Sequence, residues 1–231
     1  MTIPASASTP PLVVRTVPVD LADLALLDLL PRHEPVSWLR RGEGLVGWGV
    51  AARLETSGPT RFSDAVKWWS ETVARARVED QVAEPGTGLV CFGAFAFADE
   101  PGESMLVIPQ VVVGRRGDRT WLTTVSVEAP TLVPAPAPEP PVGLVFSDGA
   151  RNGEEWMSVV AEAVRRISAG DLEKVVLARD LIATTDEPLD VRWPLHRLAA
   201  QYEMCWTFHV DGLFGATPEM LVRRERGLVT S

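Results

Sequence analysis

The sequence predicts an α+β fold built largely from antiparallel sheet, and three observations lead to it. The β-rich segments Leu89 to Phe97, Met105 to Val113 and Thr120 to Val127 are separated by the turn pairs Pro101-Gly102 and Gly117-Asp118. Trp156, Val159, Val160, Ala163, Val164 and Ile167 recur at helical spacing and end at Gly170, a residue suited to a C-cap. Met204 to Gly215 reads as a hairpin turning at Asp211-Gly212, a pair that favours the tight hairpin turn.

In chain order, the first dozen residues are rich in Ser, Thr, Pro and Ala and read as a loose tail. A short helix is expected from Asp20 to Leu30, followed by strand from Trp38 to Glu55. Ser63 can cap a helix whose apolar positions Val66, Trp69 and Val73 lie three and four apart. The stretch Ala129 to Gly143 holds six prolines in fifteen residues, which suits neither a helix nor a central strand. A boundary is expected there, dividing the chain into a β-rich region over 1–143 and a second region over 144–231. In the second region, Lys174 to Thr184 reads as a buried strand and Val191 to Tyr202 as a helix with Pro194 in its first turn. Leu221 to Ser231 reads as a strand turning at Arg226-Gly227 into another that has barely begun. A chain that stops there leaves sheet hydrogen bonds without partners, so the sequence reads as the front part of a longer protein.

Composition narrows the function. The 231 residues carry 22 Lys+Arg against 31 Asp+Glu, a formal net charge of −9, with no basic stripe. That balance argues against nucleic acid as a partner, while a local pocket can still oppose the net charge and take an anionic small molecule. No stretch approaches the roughly 20 apolar residues of a membrane span, and the start lacks the marks of a signal peptide. A soluble, cytoplasmic protein with no membrane partner is expected, with a monomer favoured. Cys91 and Cys205 stand alone in apolar stretches and read as reduced, buried thiols.

Several motifs carry little. Gly42, Gly44 and Gly47 satisfy G-x-G-x-x-G, but two arginines precede them and an alternating strand follows, so a tight turn and close-packed strand explain them better than a phosphate loop. Lys67 lies on an expected helix rather than a kinase strand. His33, His196 and His209 are scattered without acids at metal spacing. Glu154-Glu155 sit in the first turn of a helix, where they suit its dipole.

Two segments could carry chemistry. Only two of the 22 basic residues are lysines, Lys67 and Lys174. Lys174 lies in Gly170-Asp171-Leu172-Glu173-Lys174-Val175-Val176-Leu177-Ala178-Arg179, where strand alternation would place it beside Val176 and Ala178. Desolvation there would lower its pKa and allow it to act as a base, which Arg cannot do; the alternative is a strand-end lysine reaching solvent. The second segment is Phe214-Gly215-Ala216-Thr217-Pro218-Glu219. Thr217 as N-cap, Pro218 at the first helical position and Glu219 near the dipole form one reading. The other makes Glu219 a general acid, which requires burial or a neighbouring anion to override that dipole.

Together these segments resemble the chorismate-utilising enzymes, most closely the isochorismate synthases of menaquinone and siderophore pathways. Gly42-Glu43-Gly44-Leu45-Val46-Gly47-Trp48-Gly49, the Cys91 to Phe97 segment and Leu106-Val107-Ile108-Pro109 are similar to that family's early sheet. The resemblance implies sheets with helices packed outside, chorismate as substrate and Mg²⁺ as cofactor. It implies that Lys174 is the base activating water for attack at C2 and Glu219 the acid protonating the departing C4 hydroxyl. Lysine at position 174 separates this chain from anthranilate synthase-like members, which usually carry glutamine there. Thr217 stands where the family usually has serine, and the hydroxyl is kept. The resemblance places the metal-binding glutamates, the Gly-Thr loop and the carboxylate contacts beyond Ser231, so no metal ligand is expected in this chain and the chain alone is expected to be inactive. Salicylate synthase, with similar Lys and Glu positions, and a non-catalytic binding module are the alternatives.

Overall fold

The computed structural model describes residues 11–100, 102–225 and 227–230. They form two compact units, one of residues up to Pro138 together with Val191 onward, the other spanning Glu139–Asp190. This differs from the expected division at 143/144. The reason lies in pairing: the segment after Val191 supplies two strands to the first unit's main sheet, so it belongs with the N-terminal half.

The first unit begins with β1 (Val13–Pro18), β2 (Pro35–Arg40), β3 (Glu43–Trp48) and β4 (Ala52–Ser57). Helix α1 (Arg61–Arg75), β5 (Arg77–Asp80), β6 (Phe92–Ala94), β7 (Glu103–Ile108), β8 (Val111–Arg116) and β9 (Arg119–Val125) follow. The other unit holds β10 (Val145–Asp148), α2 (Gly153–Ser168) and β11 (Leu181–Thr184). The first unit resumes with α3 (Arg192–Gln201), β12 (Trp206–Val210), β13 (Leu213–Thr217), β14 (Arg223–Glu225) and β15 (Leu228–Thr230). Among the described residues an eight-stranded sheet runs β13-β12-β2-β3-β8-β9-β1-β5, antiparallel except where β5 lies parallel to β1. A three-stranded antiparallel sheet runs β4-β7-β6.

Strand alternation gives the large sheet two apolar faces. On one, Leu39, Val46, Val111, Val113 and Leu122 pack against leucines 21, 26, 27, 29 and 30 and against Leu195 of α3. On the other, Val36 and Val210 pack against Phe92, Met105 and Val107 of the small sheet. A third cluster joins Leu12, Val14, Val125 and Ile108 to Trp68 and Trp69 of α1.

Several expectations are corrected locally. The leucines from Leu21 to Leu30 are buried, Leu24 only in part, but only Leu26–Leu29 form a turn of 3-10 helix. Ala22 at φ 45°, held by its N–H donating to Asp20 Oδ1 at 2.8 Å, breaks the earlier helical path. The expected strand from Trp38 to Glu55 is three strands, cut by the left-handed pair Arg41-Gly42 and by Gly49 at φ +70°. Gly44 must lack a side chain, because a Cβ there would lie 2.1 Å from the Trp38 carbonyl oxygen. Helix α1 begins at Arg61 after Thr60, and Ser63 sits within its first turn, its hydroxyl donating to the Thr60 carbonyl at 2.8 Å. Val66 and Val73 are exposed, whereas Ala65 and Arg61 are buried. Arg61 is tolerated there because it donates to the carbonyls of Gly58, Ala96 and Phe97 at 2.8, 3.0 and 3.1 Å and pairs with Asp99.

The Glu139–Asp190 unit is built on one antiparallel strand pair and one helix. β10 pairs with β11 in register from Val145 opposite Thr184 to Asp148 opposite Leu181. The N-terminus of α2 carries a full capping box: Asn152 Oδ1 accepts from Glu155 N–H and Glu155 accepts from Asn152 N–H, both at 3.0 Å. Gly170, at φ +79°, follows the C-cap Ala169 as the sequence predicts. Arg165 and Arg166 both donate to Glu162, which holds its carboxyl down at about 2. No residue of this unit is buried.

Candidate functional site

The two chemistry-bearing residues lie in different units. Lys174 belongs to Glu139–Asp190, in an extended segment between the end of α2 and β11. The expected strand from Lys174 to Thr184 is confined to Leu181–Thr184, since β10 is only four residues long and pairs no further back. Lys174 is exposed, as are Val176 and Ala178, so the apolar sheet face expected to desolvate its ammonium does not form among the described residues. The segment is anchored at its far end. Arg179 pairs with Asp148 and donates to the Arg151 carbonyl at 3.3 Å, and the Asp180 carboxylate accepts from Ala150 N–H at 3.0 Å.

Glu219 lies just after β13 in the other unit. The β12–β13 hairpin that carries it turns at Asp211-Gly212, both left-handed at φ 47° and 81°. Two bonds from Arg53 of β4 to the Asp211 carboxylate, at 3.1 and 3.2 Å, tie that turn down. No helix starts at Thr217: its hydroxyl accepts from Glu219 N–H at 3.1 Å in a local turn, and the chain runs on towards β14. The helix dipole that would have opposed a protonated Glu219 is therefore absent at this turn. Glu219 is exposed.

His209 and Cys91 offer no reactive group. His209 is buried, its Nδ1 bonded to the Pro35 carbonyl at 2.6 Å and its Nε2 accepting from Gly212 N–H at 3.2 Å, and burial pushes its pKa below the usual imidazole value. Burial pushes the Cys91 thiol up to about 12, which suppresses the reactive thiolate. Among the described residues no group of three or more His, Cys, Asp or Glu side chains is placed to hold a metal ion. The Mg²⁺ implied by the sequence resemblance thus finds no donor set in these residues. Among them also, no helix is long and apolar enough to cross a membrane.

The sequence reading passed over one cationic cluster. Arg40 and Arg41 on one hairpin and Arg115 and Arg116 on another line a single cavity in the first unit. The two arginine doublets, each beside a turn glycine, were the available signal.

The model of the chorismate binding enzyme family matches residues 8–136 and 133–231, which is nearly the whole chain. The chain belongs to the chorismate binding enzyme family. Among its relatives, isochorismate synthase MenF of Bacillus subtilis is 22% identical over 222 residues, covering 81% of this chain and 47% of that protein. Isochorismate synthase EntC of Escherichia coli K12 is 40% identical over 72 residues, 29% of this chain and 18% of that protein. The solved structure of MenF, the menaquinone-specific isochorismate synthase of Escherichia coli, superposes with a TM-score of 0.61 at 21% identity, covering 94% of this chain and 52% of that one. This family member therefore shares their fold and spans about half the length of the MenF relatives it matches.

Proposed function

We propose that this chain carries the base and the acid of an isochorismate synthase acting on chorismate. Lys174 takes a proton from the water that attacks C2, and Glu219 gives a proton to the hydroxyl leaving C4. The reading rests on one observation above the rest: a chain of this family has lysine, not glutamine, at position 174 and a Thr-Pro-Glu turn at Glu219. Each positioned proton transfer typically contributes roughly 10²- to 10⁴-fold. The freedom of the Glu219 turn from any helix N-terminus supports its acid role, because no helix dipole there favours the carboxylate. The exposure of Lys174 means that its desolvation must come from the substrate ring or from residues other than those described. Mg²⁺ belongs to the same proposal, and neither proton transfer runs through it.

The test is turnover of chorismate by the complete protein as its gene encodes it, with products separated chromatographically. Isochorismate is expected from the wild type, with Lys174→Ala and Lys174→Arg both silent and chorismate still bound. Near-normal kcat in either variant would refute the base assignment. Release of salicylate and pyruvate would transfer the protein to the salicylate synthases.

A further inference from the structure

Helix α1 lies on the face of the small sheet turned away from Met105 and Val107, where Trp68 and Trp69 pack with Ala52 of β4 and Ile108 of β7. At the N-terminal end of α1 the apolar surface continues into the open. Phe62 and Val66, one helical turn apart, are exposed. Phe62 stacks on Phe95, the residue after β6, with ring centroids 4.9 Å apart and planes 29° from parallel. Phe95 is itself exposed, and Phe97, two residues on, is wholly so. Single exposed apolar side chains are ordinary on a protein surface, whereas a contiguous group that includes three phenylalanines marks a surface that interacts.

Buried Arg61 holds this group together. Its guanidinium carbon lies 4.6 Å from the Phe62 ring centroid, and its nitrogens donate to the Ala96 and Phe97 carbonyls at 3.0 and 3.1 Å. One side chain thus touches both Phe62 and the segment that carries Phe95 and Phe97. Ala96 N–H is fixed in turn by Ser104 Oγ at 3.0 Å. A surface ordered before its partner arrives gives up little freedom on binding. Its border is acidic. Asp99 is paired with Arg61, and Asp64, Glu100 and Glu103 are exposed there against Lys67. The Asp64 carboxylate accepts from Thr56 Oγ1 at 3.5 Å, and Thr56 lies opposite Ser104, so Asp64 and Glu103 stand on the same side of the group. An apolar centre with an acidic border is complementary to an apolar stripe flanked by Lys or Arg. The ridge of Phe62 and Val66, four residues apart, fits the groove of another helix. We propose that this surface docks a basic amphipathic helix of a partner protein, with its apolar stripe on Phe62, Phe95 and Phe97 and its cations on the acidic border. The proposal does not depend on the isochorismate synthase reading.

The probe is a fluorescein-labelled peptide of leucine and lysine patterned as an amphipathic helix, titrated with the full chain and read by anisotropy. One saturable site with a Kd below about 100 μM is expected. The same pattern with glutamate in place of lysine, or with serine in place of leucine, is expected to bind at least about tenfold more weakly. Phe97→Ser should weaken the leucine-lysine peptide roughly tenfold, and because Phe97 is wholly exposed the fold survives the change. Glu100→Lys combined with Glu103→Lys should act in the same direction and reduce the weakening caused by salt. Met157→Ser with Val164→Ser, which removes exposed apolar side chains from α2 instead, should bind as the wild type does. Absence of binding, equal affinity for the glutamate or serine peptide, unchanged affinity in Phe97→Ser, or loss of affinity in the α2 variant would overturn the proposal. So would sedimentation of the chain with phosphatidylcholine vesicles, or self-association, that Phe97→Ser abolishes, since the surface would then belong to a membrane or to a second copy of this chain.

Discussion

The two units follow the same sequence rules and reach different ends. In the first, the apolar alternation of β2, β3 and β8 closes into clusters on both faces of one sheet, and Val14, Leu30, Val46, Val112 and Val113 are wholly buried. In the second, α2 has an equally regular apolar stripe and a full capping box, yet Met157, Val160, Val164 and Ile167 are all exposed. Amphipathic periodicity makes a helix, whereas a core also needs an opposing surface. Lys174 sits in the unit without a core, and Glu219 in the unit with one. The two halves of the proposed chemistry therefore have very different structural support.

The contrast can be broken most sharply at Leu195, which is fully buried between α3 and the large sheet. Leu195→Ala should destabilise the first unit by about 2–5 kcal/mol in urea unfolding, and a cost near zero would mean that this core is not formed in solution. Asn152→Ala, which removes the capping box of α2, should cost about 1 kcal/mol, read as faster amide exchange along α2 and not along β2 or β8. Exchange accelerated equally in both units would erase the distinction between them.

A smaller effect concerns pH. Burial holds the folded His209 pKa below its ordinary value of 6.5, so the unfolded chain takes up that proton at a higher pH than the folded one. The stability it confers is complete above pH 6.5 and is lost as the pH falls below that value. His209→Gln should flatten this dependence in first-unit unfolding, and a slope unchanged by the substitution would reject the assignment. Smallest of all is Val164→Ala, at a site 56% exposed on α2, expected within about 0.5 kcal/mol of wild type. A cost above about 1 kcal/mol would show that α2 is covered in solution, and the contrast with the first unit would end.

The residues that were legible in the sequence are those whose conformation is set locally. Asp211-Gly212 turns a hairpin, Gly170 follows the end of α2, and Gly44 sits where a strand carbonyl leaves no room for a Cβ. What escaped the sequence depends on distant partners. β1 and β5 escaped because the register that joins Val14 to Val78 pairs residues far apart in the chain. The outward turn of Val66 and Val73 on α1 escaped because the buried position near them belongs to Arg61, made tolerable by carbonyls from another segment. Family membership was legible because two short segments, around Lys174 and Glu219, resemble the family in residue type, a likeness that needs no knowledge of the packing around them.

By itself the sequence determined the Gly117-Asp118 and Asp211-Gly212 turns, the glycine that follows α2 and the absence of a basic stripe, because each depends on residues a few positions apart. Only the tertiary structure decided that the chain from Val191 returns to the first sheet, that Lys174 lies in an exposed segment outside any strand, and that scattered arginines gather with Trp38 and Trp206 around one cavity. Strand pairing and burial join residues by the free energy of contacts between remote segments, and that free energy is not written in any one stretch of the chain.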